Sequence, residues 1–105
     1  MSITFINLFD VPADKDEDFL RFWSGVNVYM AAKPGYLSHR MHKALAPDAT
    51  YRYANVVQWE SSAAWDAAHD AGFHALVTAP DKPEFTSVPT LFELIHAGSV
   101  EAKIG

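Results

Sequence analysis

The sequence predicts an α+β domain of order βαββαβ, a four-stranded antiparallel sheet with two helices on one face. Three observations predict it. Four short segments rich in β-branched and aromatic residues alternate with the period of two that a strand requires. Two other segments repeat apolar residues at spacings of three and four, the stripe of an amphipathic helix. Clusters of Pro, Gly and Asp separate the two kinds.

Residues 3–9 read as the first strand, with Ile3, Phe5, Asn7 and Phe9 on one face and Thr4, Ile6 and Leu8 on the other. The acids from Asp14 to Asp18 open a helix, because carboxylates favour the positive end of its dipole, and they should form a solvated first turn. Phe19, Phe22, Trp23, Val26, Tyr29 and Met30 make its apolar face, and Lys33-Pro34-Gly35 stops it. Residues 36–44 read as the second strand. Leu37, His39 and Met41 share one face; Tyr36, Ser38, Arg40 and His42 share the other. A turn over Ala46–Ala49 leads into the third strand, residues 50–60, as an antiparallel hairpin.

Ser61 and Ser62 can cap a second helix through Ala68, which is broken near Gly72 and followed by a short turn from Phe73 to Val77. Pro80, Pro83 and Pro89 mark a loop, and residues 90–96 alternate as the fourth strand. The last nine residues form an edge strand or a tail. This is the split-βαβ, ferredoxin-like arrangement. It leaves one sheet face uncovered, and that face is apolar, so a homodimer packed sheet against sheet is expected.

At 105 residues, half of them apolar, the chain (1–105) is expected to be one domain. The net charge of -5 and the lack of any Lys/Arg cluster argue against nucleic acid or an anionic membrane as partner. Cysteine is absent, which excludes disulfides, thiolate metal sites and Cys nucleophiles. No run approaches the roughly 20 apolar residues of a membrane span. The first residues lack the basic-then-apolar pattern of a signal peptide, so the expected location is the cytoplasm. No Gly-x-Gly-x-x-Gly, P-loop or Gly-x-Ser-x-Gly occurs, so no nucleotide cofactor is expected. No His-Glu-x-x-His or carboxylate-rich cluster occurs either, so no metal is expected.

The segment Asn55-Val56-Val57-Gln58-Trp59-Glu60-Ser61 concentrates the chemistry. Asn55 and Trp59 are four apart in a strand and project to one face, with Tyr51, Tyr53 and Val57. An amide and an indole N–H on an apolar surface can bind an oxygen on which negative charge develops. They can equally be a core anchor and a partner for backbone groups. Among the histidines, His39 and His42 lie on opposite strand faces, and His96 sits near a strand end. His69 and His74 are five apart across Gly72, off the helical spacing used for metals. His74 is the best general-base candidate, since histidine titrates near neutrality.

Pro34-Gly35-Tyr36-Leu37, followed by the block from Tyr53 through Trp59-Glu60-Ser61 to Trp65, resembles the antibiotic-biosynthesis monooxygenase superfamily of dimeric α/β barrels. The resemblance covers about residues 3–96. One branch, the cofactor-independent quinol-forming monooxygenases, carries an Asn-x-x-Gln-Trp segment that matches Asn55 to Trp59 without a gap. The resemblance implies catalytic roles for Asn55 and Trp59 and a site-lining role for the aromatic six residues on, which here is Trp65 in place of Tyr. The branch also uses an Arg after the second helix, and no Arg stands between Phe73 and Pro83. The other branch, the bacterial haem-degrading monooxygenases, resembles Ile6 to Pro12 and places Asn7 on the Asn of an Asn–Trp–His triad. The triad's Trp position is Ala68 here, and its His position falls near Val77, leaving His74 as the substitute axial ligand.

The resemblance thus implies an enzyme that uses O₂ and no cofactor to oxidise an aromatic phenol or hydroquinone to a quinone. The substrate is expected in an apolar cleft near Asn7, Trp23, Asn55, Trp59, Trp65 and Phe73, with His74 or His69 taking the proton. A haem-binding or haem-degrading monooxygenase is one alternative. A non-catalytic small-molecule binder on the same fold is another.

Overall fold

β1 (Ile3–Asp10) is an inner strand and pairs antiparallel on both sides. The computed structural model describes residues 2–100, so the end of the expected C-terminal edge strand or tail lies outside the described residues. After β1 come α1 (Asp16–Ala31), β2 (Tyr36–Lys43), β3 (Tyr53–Trp59), α2 (Ser62–Ala68), α3 (Ala71–Val77) and β4 (Thr86–Phe92). The sheet is four-stranded with order β2-β3-β1-β4, and every pairing is antiparallel. This is the ferredoxin-like α+β fold, with three helices instead of the expected two.

Three expectations are corrected. The fourth strand begins at Thr86 and contains Pro89, which sequence reading places in a loop. β4 is an edge strand, where a residue without an N–H can sit with its nitrogen turned from the ladder. The break after α2 comes at His69-Asp70, not at Gly72, because the Asp70 side chain accepts from the Phe73 N–H and starts a true third helix. Gly72 lies inside α3, where a Cβ would overlap the Tyr29 side chain. In β2, an irregularity between Tyr36 and Ser38 shifts the register. Tyr36 therefore shares the helix-facing side with His39 and Met41, opposite to the simple alternation.

The acidic first turn of α1 is not wholly solvated. Asp16 accepts from two Arg52 nitrogens at 2.6 and 2.8 Å, pinning α1 to the segment just before β3. The Arg52 guanidinium holds the Asp16 carboxyl below its ordinary range.

The buried row of β3 is Tyr53, Asn55, Val57 and Trp59, and the core forms on that side in two clusters. One gathers Phe9, Val11, Phe19 and Tyr53; the other gathers Met30, Val57, Trp59 and Ala68. Trp59 and Phe19 are the largest fully buried side chains. The opposite sheet face carries Ile6, Leu8, Val56, Val88 and Phe92, and none of the described helices covers it. None of the described helices is long and apolar enough to cross a membrane.

Gly35 connects α1 to β2 with a positive φ of 89°. A Cβ there would overlap that of Ala64 on α2, while the Gly35 carbonyl accepts from the Glu60 N–H at 2.8 Å. Gly35→Ala is therefore expected to lose about 2–4 kcal/mol, from the left-handed backbone and the overlap together. Urea unfolding measures it; an unchanged midpoint would contradict the close approach of this turn to α2.

Candidate active site

Between the sheet and the helices lies a cavity of about 490 Å³ lined by members of both core clusters. That volume suits a small organic molecule. β1 contributes Phe5, Asn7 and Phe9 to its floor, and β3 contributes Asn55, Val57 and Trp59. The same period of two that buries these rows delivers their polar atoms to the cavity. Asn7 and Asn55 are direct cross-strand partners, so the two amides stand side by side. The α1 stripe adds Trp23, Val26 and Met30; α2, α3 and the two-residue link between them add Trp65, Phe73 and His69.

The polar groups of this cavity are unusual in one respect. The Asn7 Oδ1, the Asn55 Oδ1 and the indole nitrogens of Trp59 and Trp65 are buried and find no hydrogen-bond partner in the protein. Each such atom costs about 1–3 kcal/mol when left unsatisfied. Four of them in one aromatic cavity form a set of acceptors and donors suited to a ligand that carries oxygen atoms.

His69 is held by its Nδ1–H, which donates to the Trp65 carbonyl at 2.6 Å. A carbonyl only accepts, so this bond fixes the tautomer and leaves Nε2 as the ring's free acceptor. The ring packs between Trp65 and Phe73, at centroid distances of 4.2 and 4.5 Å. His74 is different. It is exposed and does not line the cavity. Phe73 faces the cavity, and the next residue of α3 is rotated by about 100° toward solvent. The structure thus brings Asn7, Trp23, Asn55, Trp59, Trp65, His69 and Phe73 together and leaves His74 outside.

Several lining residues escape sequence reading. Asn27 sits in the α1 stripe four residues after Trp23, and a polar residue interrupting that stripe was the available signal. Tyr36 reaches the cavity only because of the register shift in β2, which carries no local signature. Burial pushes its hydroxyl pKa above the ordinary 10.0. Lys82, in the segment where no Arg stands, lines the cavity with its ammonium 4.0 Å from the Phe85 ring centroid.

The wall formed by α3 is fastened by Asp70. Its carboxylate accepts from Lys33 Nζ at 2.6 Å, from the Tyr29 hydroxyl at 2.5 Å and from the Phe73 N–H at 3.0 Å. Lys33 first, then Tyr29 and Phe73, hold the Asp70 carboxyl far below its ordinary value of 3.8. A carboxyl depressed in the folded state adds stability above its unfolded pKa, and that stability disappears as pH falls toward the folded pKa. The wild type should therefore lose Tm steeply as pH drops below about 4. Asp70→Asn should start from a lower Tm at pH 7 and show a shallower acid decline. Parallel acid declines in the two proteins would contradict the assignment.

A family model described as antibiotic biosynthesis monooxygenase matches residues 2–78. A solved structure from Shewanella loihica, described as a candidate monooxygenase, is 34% identical, with 91% of this chain and 96% of that one covered and a TM-score of 0.79. SnoaB from Streptomyces nogalater, described as a cofactor-independent oxygenase, is 23% identical over 91% of this chain and 95% of its own, with a TM-score of 0.74. The haem degrader MhuD from Mycobacterium tuberculosis is 22% identical over 92% and 99%, with a TM-score of 0.71. The last two likenesses are likenesses of fold. No curated protein sequence matches the chain.

Proposed function

The chain belongs to the antibiotic biosynthesis monooxygenase family, and on that premise we propose that it oxidises an aromatic phenol, hydroquinone or anthrone to a quinone with O₂ and no cofactor. The observation that carries this reading is the set of unpartnered Asn7, Asn55, Trp59 and Trp65 polar atoms in one aromatic cavity. The fold shared with a cofactor-independent oxygenase supports it.

An ionised phenol is electron-rich enough to pass an electron to O₂ directly. The protein then has to favour the phenolate, hold it beside O₂ and keep water away. In this reading Trp23, Trp65 and Phe73 flank the ring system. The Trp59 indole N–H and the Asn55 side-chain N–H hold oxygens on which charge develops, while the Asn7 and Asn55 Oδ1 atoms accept from substrate hydroxyls. His69 Nε2 takes the phenolic proton, the task sequence reading gave first to His74. Overall, the phenolic proton and the proton of the oxidised ring carbon leave the substrate. For a phenol or anthrone, one atom of O₂ becomes the new carbonyl and the other leaves as water with the two protons; a hydroquinone, which already holds both oxygens, gives its two electrons and two protons to O₂ to form hydrogen peroxide. Metal-free protein mixed with a panel of hydroquinones and anthrones should consume O₂ in step with quinone absorbance. No uptake across the panel would contradict the proposal.

Haem is the second reading, and His69 favours it. A histidine held by an Nδ1–H bond to a carbonyl is oriented as a ligating histidine usually is. His69, not the exposed His74, would hold the iron through Nε2, and Lys82 would be available to a propionate. Haem, when bound, would supply an O₂-activating iron. The distinguishing result is a Soret band on haem titration that His69→Ala abolishes.

We also propose that the chain dimerises through its uncovered sheet face, where Val88 and Phe92 are 45% and 48% exposed beside Ile6, Leu8 and Val56. Sedimentation at micromolar concentration should show a dimer; a monomer would contradict this.

A further inference from the structure

Tyr36 is the one tyrosine among the residues lining the cavity. Its hydroxyl donates to Asn27 Oδ1 at 3.0 Å and lies 2.6 Å from His39 Nδ1. Asn27 also lines the cavity, whereas His39 is exposed and does not. The two ends of this short chain therefore stand in different media. The register shift in β2 builds it, since without the shift Tyr36 and His39, three residues apart, would point to opposite faces. The Trp23 indole packs edge-on to the His39 ring at 5.4 Å. Val57 is its neighbour across β3, and among the described residues no carboxylate lies within ion-pair distance of His39.

We propose that Tyr36 and His39 form a proton wire from solvent to the cavity, with Tyr36 as the donor to reduced oxygen and His39 as the residue that positions and recharges it. The inference rests on the oxygenase reading above. That reaction draws two protons from the substrate and returns two to oxygen; His69 takes the phenolic proton and hands it to the departing hydroxide, and the ring-carbon proton leaves to solvent while Tyr36 supplies the other. In the return, the Tyr36 O–H proton passes to a peroxide oxygen as the His39 imidazolium gives its Nδ1 proton to the Tyr36 oxygen. The ring left behind is neutral with its proton on Nε2, and His39, being exposed, regains the Nδ1 proton from water. Burial keeps the Tyr36 hydroxyl protonated, which suits a donor and not a base. Asn27 Oδ1 holds that hydroxyl in place between transfers.

The test has two arms. First, 1,8-dihydroxyanthraquinone, a phenol already at the quinone level, is bound to protein carrying ¹³C-labelled histidine, and the His39 titration is followed by NMR. A wire predicts that the bound phenol shifts the His39 midpoint in the wild type and not in Tyr36→Phe. Second, quinone formation from anthrone is measured in variants. His39→Ala should lower it on the order of tenfold or more, below the 10²–10⁴ of a group acting directly. Added imidazole should restore much of the loss, because His39 is exposed. Tyr36→Phe should be slow with or without imidazole. A His39 midpoint indifferent to the bound phenol in the wild type overturns the wire, whatever the turnover. So does full anthrone turnover by Tyr36→Phe, which leaves the oxygenase reading standing. Failure of the wild type to bind the phenol overturns both.

Discussion

Asn55→Ala is expected to lower quinone formation by about 10²–10³-fold, the usual loss when one donor to a developing oxyanion is removed. It is also expected to leave Tm unchanged or slightly raised. The reason lies in the resting site. Asn55 is 6% exposed and its Oδ1 is unpartnered, so the amide costs stability where it stands. Removing it relieves that cost at the expense of a small void. A residue whose loss harms activity and spares stability is kept for the ligand, the trade-off expected of a site that binds oxygen. Turnover and thermal unfolding of the same preparation decide the matter. An unchanged rate would remove Asn55 from the chemistry, and a large fall in Tm would make it a structural residue.

Trp59 should separate into two roles. The side chain is 1% exposed and belongs to the buried cluster of Met30, Val57 and Ala68. Tyr36 meets it edge-on at 5.3 Å. Trp59→Ala is expected to lose about 3–5 kcal/mol, a substantial part of the stability of a domain this size. Trp59→Phe keeps an aromatic ring and should cost much less, since the volume change is smaller. It removes the unpartnered indole N–H, however, so its turnover should fall by about 10²-fold. Urea unfolding and steady-state rates of the two variants distinguish these effects. If Trp59→Phe is fully active, the indole N–H does not hold a reacting oxygen.

Much of this architecture was legible because β1, α1 and β3 carry strong periodicity. The alternation through Asn55, Val57 and Trp59 matches the buried row of β3 residue for residue. What escaped has identifiable physical causes. Pro89 looks like a loop marker, but an edge strand tolerates a missing N–H, so β4 was placed four residues too late. Gly72 looks like a helix breaker, whereas the cap supplied by Asp70 makes the break and Gly72 makes room for Tyr29. Asp70 is also the tie between α1 and α3, a role that nothing in its local sequence marks. The irregularity after Tyr36 inverts one residue's facing without leaving a pattern to read.

The candidate site divides in the same way. Spacing within β3 places Asn55 with Trp59, but the side-by-side placement of Asn7 and Asn55 depends on inter-strand register, which no single strand reveals. His69 and His74 were hard to rank because the helix phase changes between them. Once α3 starts afresh at Ala71, His69 falls in the cavity wall and His74 falls outside it.

The proposed reaction is most directly tested by ¹⁸O₂ incorporation, using metal-free protein, anthrone as the probe and mass spectrometry of the anthraquinone formed. Direct attack of O₂ on the ionised substrate predicts one ¹⁸O in the new carbonyl, with the second in water, and no dependence on added haem or metal. Anthraquinone carrying only solvent oxygen, or no product until a cofactor is added, would contradict a cofactor-independent monooxygenase.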